Sequence, residues 1–93
     1  MISVVEIERK IKDKMKVTHL EVIDLRGGDH IQVIAVSPDF ENKTLVEQHK
    51  LIYDILQNEM KSNEIHALAL KTYSPLQWEK IKPSFKKELG HEI

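Results

Sequence analysis

The chain opens with a helical period. Val4, Ile7, Ile11 and Met15 recur at three- and four-residue spacing, with Glu6, Glu8, Arg9, Lys10 and Lys12 on the other side. That pattern predicts an amphipathic helix from Ser3 to about Met15. Ser3 followed by Glu6 matches a capping box, in which each side chain satisfies a free backbone N–H of the first turn. The pattern then changes character. Val17 to Leu25 is rich in β-branched and aliphatic residues and predicts a strand. Arg26-Gly27-Gly28-Asp29 closes it, and two glycines able to take positive φ predict a hairpin turn. A second strand runs from His30 to Val36. Ser37-Pro38-Asp39 stops it, since proline cannot donate to a ladder. Phe40 is expected under that turn, and Asn42 in the left-handed region.

Thr44 to Lys61 returns to the helical period, with Leu45, His49, Ile52, Tyr53, Leu56 and Met60 as the expected buried stripe. Thr44 and Glu47 repeat the capping box. Ser62-Asn63 ends this helix, and the apolar run Ile65 to about Tyr73 predicts a third strand. Ser74-Pro75-Leu76-Gln77 then opens a further helix, with Ser74 as cap, Pro75 at the first helical position and Gln77 closing the box. Trp78 and Ile81 are expected to pack it down, and Pro83 to end or kink it. Ser84 to Ile93 is charged and weakly periodic, as a frayed tail is. Residues 1–82 therefore form one domain and 83–93 a flexible C-terminal tail. The order α-β-β-α-β-α predicts an α+β fold, a three-stranded mixed sheet with helices packed on it. A strand–helix–strand crossover makes strands two and three parallel if they share the sheet. His30 and His66, each opening a strand, then lie at one sheet end, ~4.8 Å or about twice that between strand axes.

Composition narrows the function classes. At 93 residues the chain is a single small domain, with 41% hydrophobic and 31% charged residues. A net charge of −1 supplies no overall field for nucleic acid. No run reaches membrane-span length and no signal peptide opens the chain, so no membrane partner is expected. The expected compartment is cytoplasmic, or an organelle after removal of a transit segment. The decisive feature is the lack of cysteine. It excludes disulfides, cysteine catalysis and a thiolate metal site built by this chain alone. No HExxH and no acid–base constellation is available either, so an enzyme is not expected.

His66 has two readings: a histidine at the core rim, sharing a face with Leu68 and Leu70, or a metal ligand. His30 is either a solvated turn residue or a second ligand. Two imidazoles do not complete a metal site. His19 stands at the other end of the first strand, His49 on the long helix and His91 in the tail. Any metal here needs ligands from a partner, and partner thiolates would favour an iron–sulfur cluster or zinc. His49 beside Tyr53 reads as a core-edge residue. Lys43, Lys50 and Lys61 alternate with Glu47, Asp54 and Glu59 and read as a solvated mixed face. Gly27-Gly28 is too short for a phosphate loop.

Three segments together carry a family resemblance. Val33-Ile34-Ala35-Val36-Ser37-Pro38-Asp39-Phe40, His49-Lys50-Leu51-Ile52-Tyr53 and the run from Ile65-His66-Ala67-Leu68-Ala69-Leu70-Lys71-Thr72 to Trp78 resemble the BolA family. The resemblance covers nearly all of the chain up to Trp78. It implies a fold like a class II KH domain. It also implies partnership with monothiol glutaredoxins of the CGFS type, with which BolA-like proteins share a glutathione-ligated [2Fe-2S] cluster; the isolated chain would hold none. The implied metal ligands fall on His66 and, in the Gly-Gly-Asp-His loop, on His30. The implied role is cluster trafficking or iron and redox regulation. Some family members are linked to DNA binding and transcriptional control, which would engage His49, Lys50 and Lys71. Here Gln48-His49-Lys50 stands where the family often has Arg-His-Arg, and Asn42 where a glycine is usual. No Gly-x-x-Gly loop is present, so the nucleic-acid grip of true KH domains does not carry over.

Overall fold

Ser3 begins the structured chain as expected. Its hydroxyl accepts the Glu6 N–H at 3.1 Å, and the Glu6 carboxylate accepts the Ser3 N–H at 3.1 Å. The computed structural model describes residues 2–89, with side chains as far as Lys82. Its elements are α1 (Val4–Lys14), β1 (His19–Arg26), β2 (His30–Val36), a 3-10 turn (Pro38–Phe40), α2 (Leu45–Ile55), α3 (Gln57–Lys61), β3 (Ala67–Tyr73) and α4 (Pro75–Leu89). The sheet order is β1-β2-β3, with β1 antiparallel and β3 parallel to β2. This is the mixed three-stranded α+β fold that the pattern predicts.

Alternation along β2 divides the core in two. Ile31, Val33 and Ala35 point to one face, where they bury Ile7 and Ile11 of α1, Phe40, and Ile52 and Leu56 of the long helical arm. Burying each large aliphatic side chain contributes ~1.5–3 kcal/mol, so this layer dominates stability. Ile34 and Val36 point to the other face and pack with Trp78, Ile23, Tyr73 and Ile81. The central strand is thus covered on both faces, which is why its apolar run hardly alternates. Ser37 anchors the exit of β2, its hydroxyl bonding the Lys16 carbonyl and accepting the Asp39 N–H at 3.0 Å.

Three expectations need correction. The long helix is broken at Leu56, which leaves helical geometry at φ −103°, ψ 16°. Its buried stripe is also rotated: Gln48 and Ile52 are buried, whereas Leu45 and Tyr53 are exposed and His49 is half-buried. Gln48 goes inside because its amide finds partners there. It donates to the carbonyls of Phe40 (3.3 Å) and Lys43 (3.1 Å) and accepts from the Thr72 hydroxyl at 2.7 Å. A buried polar group so satisfied escapes the usual desolvation cost. Third, α4 continues through Pro83 to Leu89. A proline inside a helix gives up one backbone N–H and usually bends the helix, but it need not end it. Residues 90–93 of the expected tail, His91 among them, lie outside the described residues.

Candidate histidine site at the hairpin end of the sheet

The site is built by a turn, a bulge and a parallel register. Gly27 and Gly28 take φ of 70° and 82°, the positive values that a tight hairpin demands. The Gly28 N–H donates to the Asp24 carboxylate at 3.0 Å, which ties the turn to β1. A register shift between Asp24 and Arg26 places Arg26 opposite His30. β3 then joins β2 with His30 opposite Ala67. His66 therefore lies just ahead of β3 rather than within it. It is exposed, whereas Leu68 and Leu70 are half-buried.

The two rings meet. The His30 and His66 centroids are 5.6 Å apart, with planes tilted by 45°. Two imidazoles bound to one metal ion have ring centres ~5–6 Å apart, from metal–nitrogen bonds of about 2 Å. The observed separation falls in that range. Among the described residues no group of three or more side chains that could hold a metal ion occurs, so the pair by itself falls short of a closed metal site.

Asp29 is the residue that sequence reasoning missed. Its Oδ1 lies 2.7 Å from His30 Nδ1. Its main-chain carbonyl accepts the N–H groups of His66 (2.7 Å) and Ala67 (3.1 Å). The hydrogen bond to His30 holds the Asp29 carboxyl below the usual aspartate range, and the nearby His30 and His66 charges add to this. Gly-Gly-Asp-His carried the signal, an acceptor side chain directly before the candidate ligand.

The other histidines are placed elsewhere. His19 stacks on Trp78 with centroids 4.8 Å apart, and its Nε2 lies 2.7 Å from Glu21 Oε2. His49 has a buried Nε2 with no hydrogen-bond partner among the described residues. Nor does the fold gather the three nucleic-acid candidates. Lys71 stands opposite Ile34, on the face covered by α4, whereas His49 and Lys50 belong to α2 on the other face. Lys50 pairs with Asp54 at 3.4 Å, and both are largely exposed. Among the described residues no helix is long and apolar enough to cross a membrane.

Comparison with known proteins agrees with this architecture. The chain is 42% identical over 81 residues to Protein BOLA2 of Arabidopsis thaliana, covering 84% of this chain and 85% of that one. It is 33% identical to the DNA-binding transcriptional regulator BolA of Escherichia coli K12, covering 78% and 76%. A crystal structure of a Bol-like protein from Babesia bovis superposes with a TM-score of 0.79 at 28% identity, covering 88% of this chain and 95% of that one. Residues 10–77 match the family described as BolA-like protein, and the chain belongs to that family.

Proposed function

We propose that this chain is a non-enzymatic iron–sulfur adaptor that binds a monothiol glutaredoxin of the CGFS type and shares with it a glutathione-ligated [2Fe-2S] cluster. The observation that carries this reading is the His30–His66 pair, 5.6 Å apart at one sheet end in a chain without cysteine. The donor set fits the group. This chain supplies imidazole nitrogen, and the glutaredoxin cysteine and glutathione supply sulfur. Replacing thiolate by imidazole raises the potential of such a cluster, which suits transfer or sensing in cluster trafficking and iron or redox regulation. His66 is the principal ligand and His30 the second.

The test is spectroscopic. Mixing the protein with a reconstituted CGFS glutaredoxin should change the visible absorption and circular dichroism of the [2Fe-2S] cluster, and His66→Ala should abolish the change. An identical spectrum with and without the protein would sink the adaptor reading.

A DNA-binding regulator is the second reading, prompted by the name of the Escherichia coli relative. It would use the long helix with His49 and Lys50 and the basic residues around Lys71 and Lys80 to Lys82; His49 and Lys50 stand on the opposite face of the sheet from Lys71. Phosphate contacts make affinity fall steeply with salt, so a flat or absent salt response disposes of it.

A further inference from the structure

We infer that Asp29 is the positioning residue of the histidine pair, holding His30 through its side chain and His66 through its main chain. The ligand it serves rests on the adaptor reading; the positioning itself rests on geometry alone.

The two contacts come from one residue and reach two distant segments. A carboxylate can only accept, so its 2.7 Å contact places the proton of a neutral His30 on Nδ1. The lone pair then lies on Nε2, the nitrogen left for a ligand. In a free histidine side chain the opposite tautomer, with the proton on Nε2, predominates. Without Asp29, His30 would therefore offer its lone pair mostly from the nitrogen nearer the backbone. At the same time the Asp29 carbonyl takes the N–H groups of both His66 and Ala67. That shared acceptor ties the approach to β3 onto the hairpin, and it fixes where the His66 backbone lies relative to His30. The preceding turn is itself held, since Gly28 donates to Asp24. No further acidic side chain is required for the device.

Asp29→Ala separates the two contacts, because the carbonyl survives the substitution. The readout is the His30 tautomer in the chain alone, from long-range proton–nitrogen correlation spectra above pH ~8, where ordinary imidazole is neutral. The wild type should show the Nδ1–H form. Asp29→Ala should shift His30 toward Nε2–H while the His66 and Ala67 amide resonances stay in place. Asp29→Asn keeps an acceptor oxygen and should restore much of the Nδ1–H form. Zinc ion alone, used as a probe of the pair, should bind ~10–100-fold more weakly to Asp29→Ala than to the wild type. A wild-type His30 in the Nε2–H form would overturn the inference. So would an Asp29→Ala protein with unchanged tautomer and unchanged zinc affinity. If the tautomer responds to Asp29 while the glutaredoxin spectrum ignores His66→Ala, positioning stands and the adaptor reading falls.

Discussion

The two ends of the sheet use histidine in opposite ways. At the end where β2 finishes, His19 lies flat against Trp78, and its Nε2 is engaged by Glu21. Trp78 is buried there with Val36 and Tyr73 around it. At the end where β2 starts, His30 and His66 face each other, His66 is exposed, and the acceptor beside them takes Nδ1. One end spends its imidazole on packing. The other sets two imidazoles side by side, His30 half-buried and His66 exposed, and neither belongs to a hydrophobic cluster.

Four substitutions and one titration break or sharpen this contrast. Trp78→Ala should cost ~3–5 kcal/mol in denaturant unfolding, the usual loss for a large buried aromatic. His66→Ala at the opposite end should change stability by under ~0.5 kcal/mol. Equal costs for the two would erase the distinction between a packed and an open end. Gly27→Ala comes next. An added Cβ meets only Asp29 Oδ1 at an ordinary 3.5 Å, so the strain comes from φ 70°. It should cost ~1–2 kcal/mol, read from the denaturant midpoint, and should loosen the hairpin that carries His30. A neutral result would show that the turn does not need its left-handed residue.

At the packed end, Ser74 caps α4 by accepting the Gln77 N–H at 3.2 Å, while Gln77 Oε1 accepts from Ser74 N–H at 2.9 Å. Ser74→Ala should therefore cost about 1 kcal/mol, with the loss of helical signal confined to α4. The smallest effect belongs to Asp29. Its carboxyl titrates below the ordinary aspartate value, chiefly through the hydrogen bond with His30. A depressed folded pKa contributes stability that is present above the unfolded value and lost as pH falls through the folded one. Carboxyl carbon shifts should show this lowered midpoint, and His30→Ala should move it back up. An unchanged midpoint in that variant would detach Asp29 from the imidazole.

Features governed by neighbouring residues were legible in the sequence. The boxes at Ser3, Thr44 and Ser74, the paired glycines, the span of β2 and the left-handed Asn42 all follow from short-range stereochemistry. The parallel pairing of β2 and β3 was expected from the helical crossover between them, on the condition that both strands share the sheet. What escaped depends on distant partners. Gln48 is polar by type, and only the hydroxyl of Thr72 and the carbonyls of Phe40 and Lys43 make its burial acceptable. With Gln48 inside, Leu45 and Tyr53 turn outward. Ile65 reads as strand by composition, yet it precedes β3, bonding the Glu59 carbonyl while its side chain fills the core. For the site, the sheet end and both histidines were readable. The exposure of His66 and the double role of Asp29 were not, since a main-chain acceptor leaves no trace in residue type.

The parallel pairing of β2 with β3 also sets when the histidine pair comes into being. A hairpin such as β1–β2 closes locally, whereas β3 reaches β2 only after the chain has passed through α2 and α3. Non-local parallel contacts of this kind are slow to form, because loop-closure entropy must be overcome first. The unfolded chain has no chelating pair at all. A ligand gripping both rings therefore binds the native state alone and shifts the folding equilibrium by mass action. If such a ligand binds, amide exchange in β3 should slow, and that slowing would report that the sheet is complete.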